Sequence, residues 1–326
     1  MAKVTVLGAG GWGMALAIAA HKNANNVSIW SPFSDEIELL AAKRCNEKLL
    51  KGIVLPEDIF LTTDINVAEG SDIVILATPS VAIRETANKL KAVKNTGIIV
   101  NVAKGFENAT LLRLSEVIKD ELPNKEIVVL TGPSHAEEVA RNIPTSIAAV
   151  SVNEDAAKKV QEILSSKTTR IYTNNDVIGA ELGGALKNVI AVTVGFCEGL
   201  GFGDNTRAAL ITRGLAEMKR LGVKMGAEEA TFAGLTGIGD LVVTCMSKHS
   251  RNNRFGNLVG GGMPIAEALE TVGTVEGYYA TKTAYEISLK YDIDMPIIKE
   301  CYNVLYKGKT PLRVVEDLMC RPLGSE

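Results

Sequence analysis

The sequence predicts an α/β chain in two parts: a doubly wound N-terminal domain over residues 1–178, then an all-helical domain over residues 179–326. Three observations carry this expectation. Short β-branched runs alternate with helical segments as far as Tyr172, most of those runs are near-continuously apolar, and from Asp176 onward the β pattern stops. Unbroken apolar strands belong to parallel sheets covered on both faces, and strand–helix alternation builds βαβ units. At 326 residues, with 46% hydrophobic and 22% charged residues, the chain is long enough for two cores and is not disordered.

The first element is the run Val4 to Leu7, which enters Gly8-Ala9-Gly10-Gly11-Trp12-Gly13 and continues as the helix former Met14 to Ala20. Gly8, Gly10 and Gly13 fit G-x-G-x-x-G. In that pattern the glycines allow a tight turn, close backbone approach to a pyrophosphate and close helix packing, while the helix start offers N–H groups to phosphate. The motif by itself is weak. Its place between a strand and an alanine-rich helix makes it a dinucleotide-binding, Rossmann-type turn.

A second strand, Val27 to Trp30, ends where that fingerprint expects an acid for the ribose of NAD. Ser31, Pro32 and Phe33 stand there instead, with neither the acid nor an arginine suited to NADP. The choice between NAD and NADP therefore stays open. Asp35 and Glu36 follow late and can serve simply as the acidic first turn of the next helix.

Further strands are expected at Ile73–Ala77, Ile98–Val102, Ile127–Leu130, Ile147–Val152 and Arg170–Tyr172, with helices such as Val81–Lys91 and Leu111–Glu121 between them. Ligands bind beyond the carboxyl ends of such strands. Three ends carry polar groups: Thr78-Pro79-Ser80, Lys104-Gly105, and Gly132-Pro133-Ser134-His135-Ala136. Lys104 is either a site residue or an exposed loop lysine, and Pro79 either a wall or a plain turn.

In the helical half, expected helices include Asn205–Arg220, Pro264–Glu270, Gly277–Lys290 and Asp294–Tyr306, with Thr310-Pro311 capping a last helix that ends near Cys320. Residues 183 to 209 read as a long apolar helix that dissolves into glycines 199 to 203, a segment expected to begin at the cleft between the domains. Lys187 and Asn188 interrupt the apolar run. A buried ammonium pairs, loses its proton or faces a cleft; the alternative is a lysine that snorkels to the surface.

Other function classes are excluded by composition. A net charge of -3 argues against a dedicated nucleic-acid partner. The five cysteines lack C-x-x-C spacing and read as reduced thiols of a cytoplasmic protein, and the three histidines lie too far apart to suggest a metal site. No secretory signal and no membrane span are read, since glycine or lysine breaks the longest apolar runs.

Chemistry gathers in the helical half. Thr236-Gly237-Ile238-Gly239-Asp240 places a carboxylate in a glycine-flanked turn, followed by Thr244 and then by Ser250-Arg251-Asn252-Asn253-Arg254. A guanidinium beside neutral donors suits a phosphate, although either arginine alone would equally fit a solvated loop. Taken together, Lys187, Asn188, Asp240, Thr244, Arg251 and Asn252 suit a small phosphorylated alcohol or ketone beside a nicotinamide. Lysine can act as proton donor or acceptor if desolvation and a second cation such as Lys104 tune it, and Asp240 can orient it.

At this point a resemblance becomes specific. GAGGWG at Gly8–Gly13, AKG at Ala103–Gly105, GPSHAEE at Gly132–Glu138, GALKNVIAVTVGFCEGLGFGDNTRAAL at Gly184–Leu210, GIGDLVVTC at Gly237–Cys245, SRNNRFG at Ser250–Gly256 and VEG at Val275–Gly277 resemble the NAD(P)-dependent glycerol-3-phosphate dehydrogenases, bacterial biosynthetic type, over essentially the whole length. The resemblance implies that Lys187 is the general base in alcohol oxidation and the acid in ketone reduction. It implies that Lys104 meets both substrate and cofactor, that Gly132 and Ser134 lie near the substrate, and that Ala136 lies near the cofactor. Asp240, Ser250, Arg251 and Asn252 would bind glycerol 3-phosphate or dihydroxyacetone phosphate, with Arg251 also reaching the cofactor. Gly11, Trp12, Thr274 and Glu276 match cofactor-contacting positions. Two departures stand out: Gly11 replaces the commoner serine, and Ser31-Pro32 replaces the basic residues often found after the second strand.

The expected function is reversible hydride transfer between NAD(P)H and C2 of dihydroxyacetone phosphate for phospholipid synthesis, and the resemblance implies a homodimer. The alternatives are a related two-domain dehydrogenase of hydroxy or sugar acids, and a nicotinamide-sensing protein without turnover. Lys187 and Asp240 in intact motifs argue against the sensor.

Overall fold

A computed structural model describes residues 1–322 of the chain. Two compact units are present: Met1–Lys104 with Leu112–Val177, and Gly105–Leu111 with the chain from Ile178 onward. The segment 105–111 departs from the single cut after residue 178 that the sequence suggests. Phe106, 3% exposed, belongs to the core of the helical unit, and the Thr283 hydroxyl donates to Asn108 Oδ1 at 2.6 Å. Burying an aromatic ring against a ready core outweighs the chain's local continuity with the sheet.

The first unit is a sheet of eight strands: β1 (Lys3–Leu7), β2 (Asn26–Trp30), β3 (Phe60–Thr62), β4 (Ile73–Leu76), β5 (Ile98–Asn101), β6 (Ile127–Thr131), β7 (Thr145–Val150) and β8 (Thr169–Asn174). Their spatial order is β3, β2, β1, β4, β5, β6, β7, β8. Val4 of β1 sits opposite Val27 of β2 on one side and Ile73 of β4 on the other, all parallel. The order reverses between β1 and β4, which makes their carboxyl ends the switch point where such sheets bind ligands. Successive side chains serve opposite faces: Val4, Val6, Ile73 and Ile75 pack in one cluster with helix Gly11–Lys22, while Leu7, Val74 and Leu76 pack in another with helices Ile83–Lys89 and Leu114–Glu121. Two covered faces require near-continuous apolar strands, which is the pattern the sequence displays.

Two features of this sheet escape the sequence reading. Strand β3 has three residues, and its Phe60 is 59% exposed, so it carries no burial pattern to recognise. Strands β6 and β7 pair antiparallel, Leu130 opposite Ala149. The helix between them, Ala136–Ala140, has five residues and rises about 7.5 Å, too little to carry the chain back along a strand.

The second unit is built on helix Val177–Gly199, buried from Gly179 to Cys197. By length and composition this helix could cross a membrane, yet 89% of its most apolar window is buried inside the structure. Close contact with helix Arg251–Gly260 comes from glycines spaced one turn apart, Gly195 and Gly199 against Gly256 and Gly260. A Cβ added at Gly195 would lie 2.3 Å from the Asn253 carbonyl oxygen, and one at Gly256 would lie 2.1 Å from that of Val192. After Gly201, at φ +85, the chain enters helix Asp204–Lys224. Helices Ile265–Val272, Glu276–Lys290, Pro296–Lys307 and Pro311–Met319 complete the unit; Thr310 stands at the start of the last one without a side-chain hydrogen bond to it.

Candidate active site

In the first unit the glycine turn joins β1 to helix Gly11–Lys22. Gly8 adopts φ +127, and a Cβ there would lie 2.6 Å from the Ala77 carbonyl oxygen; at Gly13 it would lie 2.1 Å from that of Gly8. These two glycines keep strand and helix in contact. Gly10 differs, because an added Cβ would meet nothing within 4 Å. The first helical turn has no acidic residue and no side-chain cap, and its N–H groups take no side-chain acceptor among the described residues. Open space beside uncapped donors fits a pyrophosphate. The glycine at position 11 has its own cause: a Cβ there would lie 2.7 Å from the Leu49 carbonyl oxygen, leaving no room for serine. Trp12 is half-buried against the sheet core.

At the end of β2, Ser31 is 1% exposed and its hydroxyl donates to Glu36 Oε2 at 2.6 Å, while Pro32 is exposed. Elsewhere in this unit three expected residues converge on one carbonyl. Lys104 Nζ donates to the Gly132 oxygen at 3.1 Å and Ser134 Oγ donates to the same oxygen at 2.9 Å. Gly132 itself adopts φ +132, with its α-carbon hydrogen toward Ile147, where a Cβ would be 3.1 Å from the Ile147 α-carbon. Ala136, half-buried, opens the short helix that follows. The neighbouring Thr131, 3% exposed, has a buried hydroxyl without a hydrogen-bond partner among the described residues. Sequence reading passed over this threonine because nothing distinguishes it from other strand-end threonines.

In the second unit Lys187 does not snorkel. It is 5% exposed, bonds to Asp240 Oδ1, and donates to Thr244 Oγ1 at 2.7 Å. The Thr244 hydroxyl in turn donates to the Asp240 carbonyl oxygen at 2.6 Å. Asp240, 1% exposed, is not in a loose turn: Leu235–Gly239 forms one π-helical turn that runs directly into helix Asp240–Met246. A carboxylate in contact holds the lysine as an ammonium, so the charged donor form is the one this geometry supports. Cys245 lies in the same buried region, and burial pushes its thiol up to about 12, which keeps it uncharged.

Ser250 caps helix Arg251–Gly260 by accepting from the Asn253 N–H at 3.2 Å, and its own proton stays available to donate. Arg251 begins that helix, exposed, with no hydrogen bond or ion pair among the described residues. Asn188 and Asn252 are bonded to each other: Asn252 Nδ2 donates to Asn188 Oδ1 at 2.9 Å, and Asn252 Oδ1 accepts from the Gly277 N–H at 2.9 Å. The pair braces three helices beside the lysine cluster. Thr274 is exposed just ahead of helix Glu276–Lys290, of which Glu276 is the first residue. Arg207 forms an ion pair with Glu198 at 2.7 Å, and Asn253 Nδ2 donates to the other Glu198 oxygen at 3.0 Å.

A doubly wound sheet that opens on this glycine turn, followed in the chain by a helical unit with a buried lysine, defines a nicotinamide-dependent dehydrogenase class. Residues 3–157 match the NAD-dependent glycerol-3-phosphate dehydrogenase N-terminus, and residues 176–316 match the C-terminus of the same family. The chain belongs to the NAD-dependent glycerol-3-phosphate dehydrogenase family. It is 49% identical over 323 residues to a glycerol-3-phosphate dehydrogenase (NAD(P)+) of Desulfitobacterium hafniense, covering 98% of this chain and 92% of that one. With the Bacillus subtilis protein of the same name it shares 48% identity over 327 residues, covering 98% and 95%. Among solved structures, glycerol-3-phosphate dehydrogenase from Coxiella burnetii superimposes with a TM-score of 0.94 at 36% identity, covering 98% of this chain and 99% of that one.

Proposed function

We propose that the protein catalyses the reversible reduction of dihydroxyacetone phosphate to sn-glycerol 3-phosphate with NADH or NADPH, supplying glycerophospholipid synthesis. The observation that carries this reading is the buried Lys187 ammonium held by Asp240 and Thr244. When bound, the nicotinamide supplies the hydride for C2. Lys187 gives its proton to the C2 oxygen in reduction and takes it back in oxidation, while Asp240 and Thr244 fix the ammonium's position. Loss of that proton leaves Asp240 without its counter-ion, which favours prompt re-protonation of the lysine.

Arg251 is the proposed phosphate ligand. Its guanidinium is exposed and uncommitted at the positive end of a ten-residue helix, and Ser250 and Asn252 flank it with neutral polar groups. Gly8, Gly10, Gly11, Trp12 and Gly13 would hold the pyrophosphate and nearby ribose, with Ser31, Pro32 and Ala136 along the cofactor. Lys104, Gly132 and Ser134 form the polar group proposed to meet substrate. Asn188 contributes by bracing Asn252, and Thr274 and Glu276 are further proposed cofactor contacts. The proposal extends to two domain roles: residues 1–178 bind the dinucleotide, and residues 179–326 bind substrate and carry catalysis. We also propose a cytoplasmic homodimer; the five free thiols support the compartment, and family resemblance supports the dimer.

An assay of reduced-nicotinamide absorbance tests the reading directly. Oxidation of NADH or NADPH that depends on dihydroxyacetone phosphate is expected. Turnover of 2-keto acids in its place would move the protein to the related hydroxy-acid dehydrogenases, and cofactor binding without any turnover would make it a sensor.

A further inference from the structure

The carboxyl end of β2 is where a doubly wound sheet meets the ribose that differs between NAD and NADP. No acid occupies the position directly after the strand, but the fold brings one back. Ser31, 1% exposed and fixed to β3 by its N–H bond to the Thr62 oxygen, donates its only side-chain proton to Glu36 Oε2 at 2.6 Å. The same hydroxyl accepts from the Phe33 N–H at 3.3 Å, so its direction is set from both sides. Glu36 lies in the first turn of helix Ser34–Lys43 and is half-buried. One carboxylate oxygen is thereby tied to the strand end, and Oε1 has no partner among the described residues.

We propose that Glu36, positioned by Ser31, is the residue that selects NAD(H) over NADP(H), by accepting hydrogen bonds from the adenosine ribose hydroxyls and repelling a 2'-phosphate. The inference rests on the proposed dinucleotide function and specifies which cofactor serves it. Three observations converge. The anion stands at the strand end where the selecting acid of such sheets stands. A second carboxylate, Asp35, shares the helical turn. Pro32, exposed directly after Ser31, offers no N–H and no charge to a phosphate. A dianionic 2'-phosphate beside Glu36 would meet like charge, whereas a hydroxyl would find an acceptor.

Dissociation constants of NADH and NADPH, measured by fluorescence titration of the wild type and of Glu36→Gln and Ser31→Ala, test this without relying on turnover. Wild type should bind NADH tighter than NADPH by at least about 30-fold, because like-charge juxtaposition is strongly penalised. Glu36→Gln should shrink that ratio by about tenfold or more, through weaker NADH and stronger NADPH binding. Ser31→Ala, which frees the carboxylate, should shrink it less. The values of kcat/KM for the two cofactors should follow the same order. Equal or tighter NADPH binding by the wild type, or an unchanged ratio in Glu36→Gln, would overturn the proposal while leaving the dehydrogenase function standing. Binding of neither dinucleotide would overturn both.

Discussion

Lys187 meets Asp240 because both residues follow, by one helical turn each, a point where their backbones already touch. That point is Gly183 against Thr236, where an added Cβ would lie 2.2 Å from the threonine carbonyl oxygen. Four residues later on each side, the ammonium and carboxylate are in contact. The ion pair is thus placed by a glycine that carries no chemistry of its own. Gly183→Ala should force the helix away from the π-helical turn, costing about 1–3 kcal/mol of stability as an overpacked contact does. Turnover should fall with it; urea denaturation and steady-state kinetics read the two effects. Wild-type values in both would mean that the contact does not set the register.

Lys187→Ala should lower turnover by about 100-fold or more, from the lower end of the range for a lost general acid or base upward. Affinity for NADH should stay nearly the same. The variant also strands Asp240 at 1% exposure, so a stability loss of about 3–5 kcal/mol is expected. The double variant Lys187→Ala/Asp240→Asn should recover part of that stability and none of the activity. Wild-type turnover in Lys187→Ala would end the lysine mechanism.

Arg251 separates binding from chemistry. Its side chain is exposed and makes no hydrogen bond or ion pair among the described residues, so Arg251→Ala should leave the melting temperature within about 1 °C of wild type, as surface substitutions do. The Michaelis constant for dihydroxyacetone phosphate should rise by about tenfold or more, with kcat changed less. Unchanged kinetics would remove Arg251 from the phosphate site.

Glu217 gives the helical unit a pH dependence remote from the lysine. Burial pushes its carboxyl up to about 7 from an ordinary 4.5, with the N–H bonds from Ile297 and Ile298 pulling the other way. Arg220 nearby favours the charged form, and Asp294 opposes it. The folded state therefore holds a proton that the unfolded state has released between these two values. Its contribution to stability is complete below about pH 4.5 and is lost as pH rises through about 7. Glu217→Gln should remove that loss, so its melting temperature relative to wild type should climb between about pH 5 and about pH 8, by the equivalent of roughly 2–3 kcal/mol. A constant offset across that range would show that the carboxyl does not titrate there.

Much of this was legible in the chain. The glycine turn, the apolar strands and the end of the β pattern after Asp176 follow from local chemistry, which a sequence displays openly. Lys187, Asp240 and Thr244 were recognisable as a set because the family motifs around them are intact, though their contact depends on Gly183, whose need for close approach no local pattern announces. The antiparallel pairing of β6 and β7 depends on how far a five-residue helix can carry the chain, and β3 depends only on an available sheet edge. Glu36 was read as a helix-starting acid, which it is; that Ser31 draws it back to the strand end is a three-dimensional fact.

The excursion of residues 105–111 bears on how this chain can be divided. The polypeptide passes from one unit to the other after Lys104, after Leu111 and after Val177. A fragment starting at residue 179 would keep Lys187 and Asp240 but lack Phe106, and removing a buried phenylalanine from a core costs about 3–5 kcal/mol. The helical half is therefore not a portable module: grafted onto another nucleotide-binding sheet by a single splice, it would arrive with a hole in its centre.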